Sequence, residues 1–157
     1  MDSYKGVLVT GEIDSGKLAS ITLELLGAGR KLANDLGQEL GLLLIGNGVS
    51  GLAQEVIACG ADKVYVADAA SLAQYNSDAF TTIVANLCRK VLPSILLLGQ
   101  TDIGRDMAPR LVGRLQGGLA TDCVGLGIDP ATKLLTATRP VFGGNVLATV
   151  VCRNVRP

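Results

Sequence analysis

The sequence predicts an α/β domain: a mostly parallel sheet with helices on both faces and an antiparallel carboxy-terminal end. Three observations carry this. Short apolar runs alternate with segments of helical periodicity as far as Gly118, the pattern of βαβ units. The runs are uninterrupted (GLLLI at 41–45, ILLL at 95–98), as strands buried on both faces require. After Leu119 three strand-like runs follow one another with no helix between them.

Lys5–Thr10 (KGVLVT) reads as the first strand. Leu18, Ile21, Leu25, Ala28, Leu32 and Leu36 recur at helical spacing, and Gly37 ends the pattern as a C′ residue. Gly41–Ile45 is the second strand, followed by the turn GNGVSG and a short helix carrying Leu52, Val56 and Ile57 that stops at Gly60. Asp62–Val66 is the third strand. Ser77 is placed to cap a helix bearing Phe80, Ile83, Val84 and Leu87. Pro93 follows that helix, and Ile95–Leu98 is the fourth strand. Asp106 to Leu115 reads as the last helix, with Pro109 in its first turn, where the amide has no helical partner. Gly117-Gly118 closes it. The final strands lie around 120–128, 133–139 and 145–152, joined by DPAT and FGG.

Composition narrows the function classes. At 157 residues the chain is expected to form one domain, 1–157. It is 48% hydrophobic but 3% aromatic, so Leu, Val, Ala and Ile must build the core. Fourteen basic residues balance fourteen acidic ones with no basic stripe, which argues against nucleic-acid binding. Four widely spaced cysteines with no CxxC, and no histidine, argue against zinc and read as buried reduced thiols. Without histidine, Ser-His and Cys-His nucleophile pairs are absent. No apolar run is long enough to cross a bilayer, and no charged-then-apolar leader opens the sequence, so neither membrane insertion nor secretion is expected.

Four motifs carry candidate chemistry. Gly46-Asn47-Gly48-Val49-Ser50-Gly51 is a literal GxGxxG, with Asp68 where a ribose-binding acid stands in dinucleotide sites. It follows the second strand rather than the first, so a plain glycine turn is the competing reading. Thr101 to Asp106 (TDIGRD) follows the fourth strand and leads into a helix. There Gly104 and Arg105 could meet an anionic or flavin edge, or Arg105 could pair locally with Asp102 or Asp106. Arg139 to Asn145 (RPVFGGN) reads as an irregular turn with a fixed cation at a strand end and two permissive glycines, Gly143 and Gly144. Thr121-Asp122-Cys123 puts a carboxylate in an apolar strand, expected to pair with Arg110 or Arg114. Lys31, Glu39 and Lys90 read as solvated helix faces.

Taken together, GRDMAPR (104–110), TDC (121–123), RPVFGGN (139–145) and GADKVYVAD (60–68) resemble, in order and spacing, the amino-terminal domain of the alpha subunit of electron transfer flavoproteins. The resemblance runs from about Gly6 to Pro157. It implies a three-layer nucleotide-binding-like fold (adenine nucleotide alpha hydrolase-like) and a role in electron transport as part of a heterodimer. It implies packing against the beta subunit, FAD in the full heterodimer but none on this chain alone, and no catalysis by this chain itself. Members continue past the position of Pro157 into a carboxy-terminal FAD domain, which is not in this sequence. In the family the position of Arg139 reaches the beta subunit's flavin in members that bifurcate electrons, and Gly143, Gly144 and Asn145 lie beside it; Gly104 and Arg105 complete the cofactor-side set. Electrons would come from acyl-CoA-type dehydrogenases, as in fatty acid beta-oxidation. The setting would be the bacterial cytoplasm, or the mitochondrial matrix in a eukaryote. Two alternatives stay open on the residues: a dehydrogenase's stand-alone dinucleotide-binding domain built on GNGVSG, and a small ATP-binding α/β domain.

Overall fold

The computed structural model describes residues 4–152; the predicted chain end at Arg156-Pro157 lies outside them. Four parallel strands form the main sheet: β1 (Val7–Thr10), β4 (Leu40–Gly46), β5 (Lys63–Asp68) and β6 (Ile95–Leu97), in the order β5-β4-β1-β6. Between β1 and the first helix stands a hairpin not foreseen from sequence, β2 (Ile13–Asp14) with β3 (Lys17–Leu18). Its two-residue turn, Ser15-Gly16, has φ of 51° and 77°. Paired positive φ values are the mirror-image turn that suits a two-residue hairpin. Leu18 therefore belongs to β3, and the helix that was to include it, α1, runs Ser20–Leu36.

Alternation along the strands sorts the core into two halves. Val7, Val9, Leu40, Leu42 and Leu44 point to one face, where they meet Leu26, Leu32 and Ala33 of α1 and Val56 of α2 (Ala53–Ala58). Leu8, Leu43 and Ile45 point to the other, against Val84, Ala85 and Cys88 of α3 (Ser77–Val91) and Met107 and Leu111 of α4 (Asp102–Leu115). Both faces are covered, which explains the unbroken apolar runs.

Helix ends follow local chemistry. Gly37, at φ 64°, ends α1 with its N–H on the Asn34 carbonyl while Gln38 N–H reaches Ala33, a Schellman closure. Asn76, not Ser77, caps α3: its Oδ1 accepts from the Ala79 N–H at 3.0 Å. Helix α4 starts four residues earlier than the sequence suggested, because Thr101 is a cap in its own right and accepts from the Gly104 N–H at 3.1 Å. Pro109 is thus inside the helix. It is exposed, so the Arg105 carbonyl left without its amide can turn to water. Gln116, at φ 54°, ends α4 in the position given above to Gly117-Gly118.

The last three strands, β7 (Gly125–Ile128), β8 (Leu135–Val141) and β9 (Val146–Cys152), pair antiparallel as expected and make a sheet of their own, with β8 central. Leu126, Ile128 and Leu135 pack on the α1 side of the core. Pro140 sits in β8 without breaking it. The β7 ladder ends at Gly125↔Thr138, so at Pro140 only β9 is a neighbour and one edge is free.

Candidate functional site

Ligands of open parallel sheets gather at the carboxyl ends of strands where the order reverses. Here that is between β1 and β6, and the crevice is laced by the chain itself. Thr101 Oγ1 donates to Glu12 Oε1 at 2.6 Å. The Glu12 N–H donates to Thr22 Oγ1 at 2.7 Å, and that hydroxyl donates back to the Glu12 carbonyl at 2.8 Å.

The GNGVSG loop is likewise self-satisfied. Asp68 accepts from Gly48 N–H at 2.7 Å, Ser50 N–H at 2.9 Å and Ser50 Oγ at 2.6 Å. These bonds, the Ser50 hydroxyl's first, hold the Asp68 carboxyl below the ordinary aspartate range. The spacing that suggested a ribose acid is real, but the acid is turned onto the loop's own amides, which a pyrophosphate would need. Gly48, at φ 71°, supplies the turn.

In the first turn of α4, Gly104 is buried, and a β-carbon there would overlap the Gly99 carbonyl oxygen. Its close approach is to backbone. Arg105 is exposed and makes no side-chain hydrogen bond or ion pair among the described residues. The local pairing considered for it goes elsewhere: Asp106 pairs with Arg110 at 3.3 Å and accepts from Tyr75 OH at 2.5 Å. Arg114 reaches Asp78 at 2.7 Å. Asp122 therefore meets neither Arg110 nor Arg114. It is exposed, at φ 55°, and accepts from Gln100 Nε2 at 2.7 Å; it is not a buried strand residue. Glu39, given above to a helix face, lies between α1 and β4 and pairs with Lys63. Of the four thiols expected to be buried, Cys88 alone is, and burial pushes it up to about 11; Cys59 is on the surface and Cys123 and Cys152 are partly covered.

The RPVFGGN segment divides between strand and turn. Arg139 lies within β8, opposite Ala148, not at a strand end. Alternation puts it on the face of Leu135 and of Ala137, which is fully buried. Its Nε is buried and has no hydrogen-bond acceptor. Cys123 lies within range of its charge: burial raises that thiol most, and Arg139 acts in the opposite direction. The turn proper is Phe142-Gly143-Gly144, at φ 51°, 67° and 92°, closed by the Asn145 side chain donating to the Phe142 carbonyl at 3.1 Å. A β-carbon on either glycine would have nothing within 4 Å, so positive φ, not crowding, accounts for both. Phe142 is 82% exposed, and Val146, Leu147, Val150 and Val151 of β9 are exposed with it. This cluster is an unpaired apolar strand edge topped by an aromatic ring. The motif reads in sequence as a ligand turn, which hides the face; the valine-rich run VLATVVC after it was the available signal.

A groove of about 1340 Å³ runs beside β6, lined on one side by Gly104 and Arg105 and on the other by Cys123 and Cys152. Neither Arg139 nor residues 143–145 line it. The structure therefore keeps Arg139, Gly143, Gly144 and Asn145 together on the antiparallel sheet and places Gly104 and Arg105 apart from them. No group of three or more cysteine and acidic side chains among the described residues could hold a metal ion. No helix among them is long and apolar enough to cross a membrane.

The family model of the electron transfer flavoprotein domain matches residues 7–157. The chain is 44% identical over 154 residues, 98% of its length, to the electron transfer flavoprotein subunit alpha of Megasphaera elsdenii, and equally to that of Clostridium acetobutylicum. It is 35% identical over its whole length to the acryloyl-CoA reductase electron transfer subunit beta of Anaerotignum propionicum. The chain spans 46% of the first two relatives and 49% of the third, about half their length.

Proposed function

Since the chain belongs to the electron transfer flavoprotein family, we propose that it is the amino-terminal domain of an alpha-type subunit that supports FAD-mediated electron transfer by packing against a beta subunit. The observation that carries this reading is the antiparallel sheet. It presents an apolar edge of Phe142, Val146, Leu147, Val150 and Val151 beside a guanidinium whose Nε is buried without an acceptor. An apolar patch beside unsatisfied polar groups is the form of a protein interface, and a buried N–H without a partner calls for an acceptor from outside the chain.

A flavin fits that requirement. Its ring nitrogens and carbonyl oxygens are acceptors, and bound FAD would supply the one- and two-electron chemistry. Arg139 would donate to the ring and hold a permanent positive charge beside it. Gly143 and Gly144 would let the ring approach the turn without a side chain intervening, and Asn145 would fix the turn. Arg105, exposed at the start of α4, would meet the assembly from the groove side, with Gly104 serving by setting how closely α4 sits on β6. No residue of this chain is assigned a bond-making role. The donor would be a dehydrogenase of the acyl-CoA type, reached through the complex, in a cytoplasmic or mitochondrial-matrix setting.

Co-purification tests the reading. The chain alone is expected to be colourless, and mixing with beta subunit should yield a one-to-one complex on gel filtration. Stoichiometric yellow flavin on the isolated chain, or no complex at all, would overturn it.

A further inference from the structure

The parallel sheet stops at β6, and nothing among the described residues pairs with its outer edge. Counted along the chain, the parallel strands stand in the order third, second, first, fourth. In doubly wound sheets of that order the next strand is laid outside the fourth. Helix α4 leaves the carboxyl end of β6 as a crossover helix does, and right-handed connection would deliver the following segment to β6 in parallel. The segment that follows, 117–124, has no regular structure.

Its position makes this more than an omission. The groove of about 1340 Å³ runs along the free edge of β6, with Ile95, Leu97 and Gly99 on one wall and Ala120 and Cys123 on the other. Leu119 is 46% exposed and Val124 67% exposed. Two features keep the segment off the edge: the left-handed backbone of Asp122, at φ 55°, and the hydrogen bond from Gln100 Nε2 at 2.7 Å. A left-handed conformation is unfavourable for a residue with a side chain, and the hydrogen bond is exposed, so the open arrangement is held by small forces.

We propose that residues 119–124 are a strap that closes onto the free edge of β6 as a fifth parallel strand, and that the Gln100–Asp122 bond holds the open form. Closure returns Asp122 to extended backbone, fills the groove and gives the outward amides of β6 their partners. Because the strap runs directly into β7, closure also draws the β7–β9 sheet, with Arg139, toward the parallel sheet. The two arrangements thus differ in where the antiparallel sheet stands. The inference rests on sheet topology and does not depend on the cofactor.

Native-state hydrogen exchange on the full-length protein tests it. The Ile95 N–H faces Gly6 on the β1 side, so alternation turns the Leu96 N–H to the outer edge. Gln100→Ala removes the tether and is expected to slow Leu96 exchange several-fold. Ala120→Pro and Thr121→Pro, made singly, bracket the strap: adjacent residues point their N–H groups to opposite edges, so one of the two must delete a pairing bond. That variant is expected to speed Leu96 exchange at least tenfold while the other does not. The segment is irregular in the open form, so neither proline need disturb the fold. Leu96 exchange unchanged by both prolines and by Gln100→Ala overturns the proposal.

Discussion

Gly104 lies so close to the backbone of Gly99 that a β-carbon at 104 would overlap the Gly99 carbonyl oxygen. The contact sets the height of α4 above the end of β6. A carbonyl in a strand end cannot step aside as a side chain can, so Gly104→Ala is expected to cost about 3 kcal/mol, the upper part of the range for overpacking. Gly113, on the same helix, has nothing within 4 Å of the equivalent position. Gly113→Ala should stabilise by roughly 0.5–1 kcal/mol, the helical cost of glycine. Urea denaturation of the two variants against the parent checks both signs; equal effects would mean that helix propensity, not contact with Gly99, decides position 104.

Asp68 gives a pH signature. Its folded-state carboxyl is held below the ordinary value by the Ser50 hydroxyl and the Ser50 and Gly48 amides. A depressed carboxyl stabilises the fold above its unfolded pKa of about 4 and loses that contribution as pH falls through the folded value. The stability difference between parent and Asp68→Asn should therefore be constant from about pH 5 to 8 and shrink below about pH 4. A difference that grows on acidification would show that the loop bonds do not favour the charged form.

Phe142 combines strain with exposure. A side chain at φ 51° costs roughly 1–2 kcal/mol relative to the right-handed region, and at 82% exposure the ring recovers little of this by burial. Phe142→Gly is expected to leave thermal stability unchanged or raise it while weakening association with the beta subunit about tenfold or more, as loss of an aromatic anchor does. Titration calorimetry with the partner, alongside a melting curve, separates the two effects. Unchanged affinity would remove Phe142 from the interface.

Arg139 is tested in the heterodimer. Because it stands within β8, its replacement should be read first by circular dichroism, which Arg139→Ala is expected to leave unaltered. Loss of one charge-assisted hydrogen bond is worth about 1.5–3 kcal/mol. At about 1.4 kcal/mol per decade, the anionic reduced flavin should be depopulated roughly ten- to a hundredfold and its potential lowered. Arg139→Lys should restore only part of this, lacking the planar fork, and Lys31→Ala on α1 none. An unfolded Arg139→Ala domain with an unchanged flavin potential in the folded remainder would make the residue a structural one.

These residues also show which parts of the architecture could be read from the sequence. Strands β1, β4 and β6 were legible because burial on both faces leaves a continuous apolar run, and Gly37 because a Schellman end needs a residue at positive φ. The start of α4 was not. Pro109 suggests a first turn, and only the geometry of Thr101 over Gly104 shows the helix already under way. The Ser15-Gly16 hairpin was hidden by Leu18, which fits a helical stripe as well as a strand. At the site, Arg139 was found by motif, but its place inside β8 depends on where the β7 ladder ends, a long-range fact. Asp68 shows the opposite limit: its spacing from GNGVSG matched a nucleotide site, while spacing says nothing of which way a carboxylate turns.

Strand β9 has a further consequence. From Val146 to Cys152 it carries no charge and no proline, and it forms one edge of its sheet. Edges of this kind recruit any extended chain they meet. The order of synthesis then matters to yield: made ahead of a partner, the chain should gather in inclusion bodies, and made alongside one it should stay dispersed. A single lysine at Val150 would act as a gatekeeper for the lone chain, at the expense of the face it was placed on.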